Sequence, residues 1–187
     1  MNYSNFEKQI NYETTFIENN SGLIKNMTAS DYVTDYTRSD LDMFAGIDCS
    51  VTSDRTMKGL ALRIRRPRYE KWNKNFTISG HIENPNSQIR VLLNSIDGDA
   101  FYPHLILQIN GVNDCGDCEK AKAILIQSNV FAKYLSELIN SNKLEGFYNQ
   151  ELEAYEFNFI QIFKELDNGI TLFGIENNRI LYELLNS

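Results

Sequence analysis

Apolar and polar residues alternate along Gly46–Thr52, Leu60–Arg66 and Phe76–Ile82. That period of two predicts half-buried strands, the second ending at Pro67, which cannot donate to a ladder. Leu105–Ile109 and Ala121–Gln127 are nearly continuous apolar runs and predict more deeply buried strands. Helical spacing takes over elsewhere. Phe6, Ile10 and Ile17 fall near one face of a helix over residues 4–26, with Asn19-Asn20-Ser21-Gly22 as its expected breaking point. Ile89, Leu92, Leu93 and Ile96 recur at i, i+3, i+4 and i+7 after the turn Asn84-Pro85-Asn86-Ser87. Val130, Phe131, Tyr134, Leu135, Leu138 and Ile139 share a face behind a cap at Ser128 or Asn129. Ala29–Met43, with Asp31, Asp35, Asp40 and Asp42, reads as loop and short turns.

Beyond Asn142 the texture changes. Tyr155–Ile162 alternates as a strand, and Ile170–Ile175 reads as another after the turn Asp167-Asn168-Gly169. Ile180, Leu181, Leu184 and Leu185 suggest a short final helix. The element order predicts an α/β fold with a central mixed sheet flanked by helices. Its α-β-β-β-α-β core occupies residues 1–141, and a C-terminal α+β extension at 142–187 packs on that core. The extension either covers a sheet edge or makes a homodimer.

Composition narrows the class. With 187 residues and 42% hydrophobic content, the chain can build a real core. No apolar run approaches the length of a membrane span, and the polar start lacks the apolar centre of a signal peptide. Three cysteines do not suggest a disulfide framework, so a reducing, cytoplasmic setting is expected. The net charge of -7 disfavours nonspecific nucleic-acid binding. Yet six of the 18 basic residues, Arg63, Arg65, Arg66, Arg68, Lys71 and Lys74, lie within one short stretch opposed only by Glu70. Tyr69 and Trp72 interleave with them, a pattern suited to phosphate contacts and base stacking, or to a solvated charged loop.

Upstream of that stretch, Asp48 opens a strand, and the two strands could bring an acid and bases around one point. GID at Gly46–Asp48, GLALRIRR at Gly59–Arg66, FTISGHI at Phe76–Ile82 and the helix SQIRVLL together resemble the PD-(D/E)XK nuclease-like superfamily, most closely a phage-type group within it. The resemblance covers roughly residues 6–139 and rests on short motifs. It implies a metal-dependent nuclease acting on DNA or RNA, with Mg²⁺ or Mn²⁺ activating water beside the scissile phosphate. Asp48 matches the family's first metal-binding acid, and Arg63 stands where the family's lysine is expected. The second acid position, two residues before it, is Ala61, which cannot bind metal. Glu13, Glu18, Asp40 or Asp42 could supply a migrated carboxylate, with Glu13 the leading candidate metal ligand, and Gln88 could offer a neutral oxygen. Arg63 can clamp phosphate but stays protonated and cannot act as a base. The rival expectation is a catalytically inactive protein on the same scaffold that binds nucleic acid through Arg65, Arg66, Arg68, Lys71, Trp72 and Lys74, or that blocks a protein partner. Cys115-x-x-Cys118 is half of a zinc signature; with Cys49, His81 and His104 as the only soft partners left, a plain loop is the stronger expectation.

Overall fold

The computed structural model describes residues 3–66, 74–98, 100–166 and 168–181. Helix α1 (Tyr3–Thr28) leads into β1 (Tyr32–Asp35), α2 (Asp40–Ala45), β2 (Cys49–Ser53), β3 (Thr56–Arg65) and β4 (Asn75–Ser79). Then come α3 (Gln88–Asn94), β5 (Leu105–Asn110), β6 (Lys120–Gln127) and α4 (Ser128–Asn140). A 3-10 turn (Leu144–Phe147), β7 (Tyr148–Asn149), β8 (Ala154–Asn158), α5 (Phe159–Glu165), β9 (Ile170–Glu176) and β10 (Arg179–Leu181) follow. The fold is α/β, with a seven-stranded mixed sheet in the order β1-β2-β3-β5-β6-β9-β10. Only β3 and β5 run parallel, in register from Leu60↔Leu105 to Arg65↔Asn110. A three-stranded antiparallel sheet, β4-β8-β7, forms a second layer.

Strand alternation sorts the apolar residues into two cores. Leu60, Leu62 and Ile64 of β3 and Leu105, Leu107 and Ile109 of β5 bury one face against Phe16, Ile17, Leu23, Ile24 and Met27 of α1. Helix α1 touches both edge strands, β1 and β10, so the large sheet curls around it. Asn20 kinks α1 with non-helical dihedrals, at the expected breaking point, but the helix resumes to Thr28. The Asn20 amide compensates by donating to Phe16 O (3.1 Å) and Gly116 O (3.0 Å). On the opposite face, Ala61, Ile106, Ile124 and Ile126 meet Ile89 and Leu92 of α3, Phe131 and Leu135 of α4, and Phe76, Ile78, Tyr155 and Phe157 of the small sheet. Phe131 meets Phe76 and Phe157 edge to face, at 5.0 and 5.3 Å.

Several expectations change in the folded chain. The Phe76 strand is outside the central sheet: β5 occupies the free edge of β3, and β4 pairs with β8 instead. It stops at Ser79, because Gly80 turns with φ +85°. Tyr155–Ile162 is half strand and half helix. The Asn158 side chain accepts from Ile160 N and Gln161 N, capping α5 and ending the strand. Ala29–Met43 contains the edge strand β1, paired with β2 from Tyr32↔Thr52 to Asp35↔Cys49, and α2, capped by Ser39. Ile180 and Leu181 are strand, not helix: Asn177 and Asn178, both with positive φ, turn the chain back so that β10 pairs with β9. Leu184 and Leu185 lie outside the described residues. Residues 142–181 thus give β7 and β8 to the small sheet and β9 and β10 to the large one. Among the described residues, no helix is long and apolar enough to cross a membrane.

Candidate functional site

Asp48 sits where β2 parts from β3. Cys49 still pairs with Leu60, and Asp48 N donates to Leu60 O (3.1 Å). Just before it, Gly46 in the left-handed region ends α2, and Ile47 N turns away to Leu41 O. Leu62 N, the next donor facing this edge of β3, therefore has no described strand opposite. The Asp48 carboxyl fills the gap, with Oδ2 accepting from Leu62 N at 2.5 Å. Burial pushes the Asp48 carboxyl up to about 8, against the pull of the Leu62 N–H; Glu13 and Asp42 push it further up and Arg63 opposes them. At neutral pH the group is mostly protonated.

Arg63 points from β3 toward the small sheet. It donates to Thr77 O (2.5 Å) and to the Tyr102 hydroxyl (3.3 Å), with its guanidinium 5.8 Å from the centre of the Phe76 ring. Arg65 donates to Thr77 Oγ1 at 2.6 Å. Both bonds fall on the outer edge of β4, whose backbone groups no described strand pairs. Gln108, fully buried in β5, completes the cover: its Oε1 accepts from Thr77 N (3.0 Å) and its Nε2 donates to Asn75 O (2.7 Å) and Asn110 Oδ1 (2.9 Å). Asn110 Nδ2 also reaches Asn75 O at 3.2 Å. Side chains of one sheet thus act as the missing neighbour strand of the other.

The remaining bases divide. The Arg66 guanidinium lies 4.3 Å from the centre of the Tyr12 ring and 3.4 Å from Asp114. Its side chain is 25% exposed, so it is engaged yet still reachable. Lys74 is exposed. Arg68, Lys71 and Trp72 lie outside the described residues. Cys115 is exposed, whereas Cys118 is buried in the α1 core, where burial pushes its thiol up to about 12. Their loop is held by backbone and amide bonds, with Asn113 Oδ1 accepting from Cys115 N and Asp117 N and Asn178 Oδ1 from Cys118 N. Cys49, in β2, is buried in the same α1 core as Cys118, and His104 Nδ1 is engaged in accepting from Gly59 N.

The fold therefore brings Glu13, Asp42 and Arg63 into electrostatic reach of Asp48. Asp42 is partly committed, its Oδ2 accepting from Arg38 N at 3.0 Å. Among the described residues, no three His, Cys, Asp or Glu side chains are placed to hold a metal ion. Tyr102, Thr77, Gln108 and Asn110 were not legible as members of this neighbourhood. Polar residues inside an apolar strand, as in Leu105-Ile-Leu-Gln-Ile-Asn110, were the one signal that could have found them. Comparison with protein-family models, curated proteins and solved structures found no match.

Proposed function

We propose that this chain is a non-hydrolytic nucleic-acid-binding protein, on a scaffold that resembles the PD-(D/E)XK nucleases in its strand motifs. One observation carries the reading. The Asp48 carboxyl, the acid that a nuclease would offer to metal, caps Leu62 N through Oδ2 and so takes the place of a neighbouring strand. Ala61 stands in the second acid position, and Arg63 is drawn into holding β4. The residues that match the nuclease motif thus serve the fold. The bases from Arg66 to Lys74 remain as the feature suited to a phosphate backbone, a local attraction within a chain of net charge -7.

The nuclease reading retains one supporting observation, the convergence of Glu13 and Asp42 on Asp48. It would use the Asp42 and Asp48 oxygens that do not already accept from Arg38 N and Leu62 N.

Fluorescence anisotropy with labelled single-stranded DNA, duplex DNA and RNA across a salt series tests the proposal, beside a cleavage assay with Mg²⁺ or Mn²⁺. The expected result is salt-sensitive binding without cleavage. Replacing Arg68, Lys71 and Lys74 with Ala should weaken binding and reduce the salt slope by roughly one unit for each phosphate no longer neutralised. Metal-dependent cleavage that disappears in Asp48→Ala would establish the nuclease instead. Neither binding nor cleavage would overturn both and leave a protein partner.

A further inference from the structure

Where β4 ends, a group of titratable side chains gathers that the proposed function does not use. His81 follows Gly80, whose N–H is anchored to Glu153 O at 2.8 Å. The imidazole packs edge-on against Tyr148 of β7, with centroids 4.8 Å apart and planes at 89°. Tyr155 of β8 lies beyond it at 6.0 Å. His81 Nε2 is 3.5 Å from Glu145 Oε1, on the 3-10 turn. The Tyr155 hydroxyl donates to the same oxygen at 3.4 Å and accepts from Ile82 N at 3.4 Å. Burial pushes the Tyr155 phenol up to about 12, so it remains a donor across the neutral range.

The other ring nitrogen faces two groups with opposite requirements, both from Glu83. The Glu83 backbone N–H donates to Nδ1 at 3.3 Å, which only an unprotonated nitrogen can accept. The Glu83 carboxylate stands 3.9 Å from Nδ1, where it favours a protonated one. The titratable groups around the ring are therefore Glu83 from its own loop, Glu145 from the 3-10 turn, Tyr148 from β7 and Tyr155 from β8. His81 itself is 31% exposed, so protons reach it from solvent.

We propose that His81 is a proton-operated latch between the β4–α3 loop and the 3-10 turn Leu144–Phe147, setting one wall of the polar groove beside β7. That open groove, of about 800 Å³, is lined by Gly146–Gln150, Asn75, Glu156 and Asn158 among others. In the neutral state, Nδ1 accepts from Glu83 N–H, and Nε2 faces Glu145 Oε1 across 3.5 Å. When Nδ1 takes a proton from solvent it loses its lone pair, and the Glu83 N–H bond breaks. The Glu83 carboxylate becomes the new acceptor, and the charged ring draws Glu145 from 3.5 Å into a charge-assisted bond with Nε2–H. Acid draws the turn onto the loop; base relaxes it.

Nuclear magnetic resonance of the full chain tests this directly. Imidazole nitrogen shifts identify the neutral tautomer, and a His104→Asn variant assigns the two rings. The expected result is an Nε2–H tautomer for neutral His81. The Glu83 amide proton should move upfield on acidification, and the Gly146–Asn149 amides should shift with the same midpoint as the ring. In Glu145→Gln the ring should still titrate while the Gly146–Asn149 shifts shrink. An Nδ1–H neutral tautomer would overturn the latch. So would Gly146–Asn149 amides that ignore the His81 titration, or that follow it undiminished in Glu145→Gln.

Discussion

Replacing Asp48 by Asn keeps the side chain's shape and an oxygen for Leu62 N, and removes a titration. The folded carboxyl sits at about 8 against an ordinary 3.8. Between those values the folded chain holds a proton that the unfolded chain has released. The stability this provides is complete below the ordinary value and is lost as pH rises through the folded one. Each pH unit in that window removes about 1.4 kcal/mol, so the step from about pH 5 to about pH 7 removes about 3 kcal/mol. Asp48 keeps some contact with water, which makes that figure a ceiling. Urea unfolding of wild type and Asp48→Asn over this range gives a difference curve in which the other titrations cancel. Wild type should lose ground steadily to the variant as pH rises; in thermal scans the same loss is a shift of roughly 2–4 °C in Tm for each kcal/mol. The slope is the decisive quantity, since the new amide N–H₂ needs a partner and displaces the whole curve. A flat difference curve, or a carboxyl carbon titrating in the ordinary range, would refute the account of Asp48 as a buried, protonated cap. It would also restore the acid as an ionised candidate for metal binding.

Gln108→Leu should cost about 1–3 kcal/mol in urea unfolding, because Thr77 N would lose its buried acceptor while Asn75 O keeps only the Asn110 amide. Arg63→Met should lower stability by about 1–3 kcal/mol, through loss of a charged bond to Thr77 O, while leaving nucleic-acid affinity nearly unchanged in the anisotropy assay. A large affinity loss with intact stability would make Arg63 a ligand contact instead. Gly111→Ala should lower the thermal midpoint clearly: φ is +95°, and a Cβ there would stand 2.8 Å from Lys120 O, so strain and clash together cost about 2–4 kcal/mol.

The local pattern along the chain determined most of the elements and their kind. Residues at spacing two or 3.6 reveal which face needs burial, and this holds whatever lies opposite. The fit was best at Leu105–Asn110 and Ser128–Asn140, where boundary residues and periodicity agree, whereas β3 already begins at Thr56 and α3 ends at Asn94, short of Ile96. Of the acids that the family resemblance offered as partners for Asp48, Glu13 and Asp42 influence its carboxyl electrostatically, as Arg63 does.

Strand partners were decided only in three dimensions. An alternating strand carries the same pattern in either sheet, so nothing local sends Phe76–Ser79 to β8 rather than to β3. The choice rests on residues far apart in sequence, Gln108, Asn110, Arg63 and Arg65, which cover an edge that β4 would otherwise expose. The chemical state of Asp48 was hidden for the same reason. A carboxylate's identity is written in the sequence, but its proton is set by burial and by the donor it faces. Both emerge only once Gly46 has turned the chain and left Leu62 N without a strand beside it.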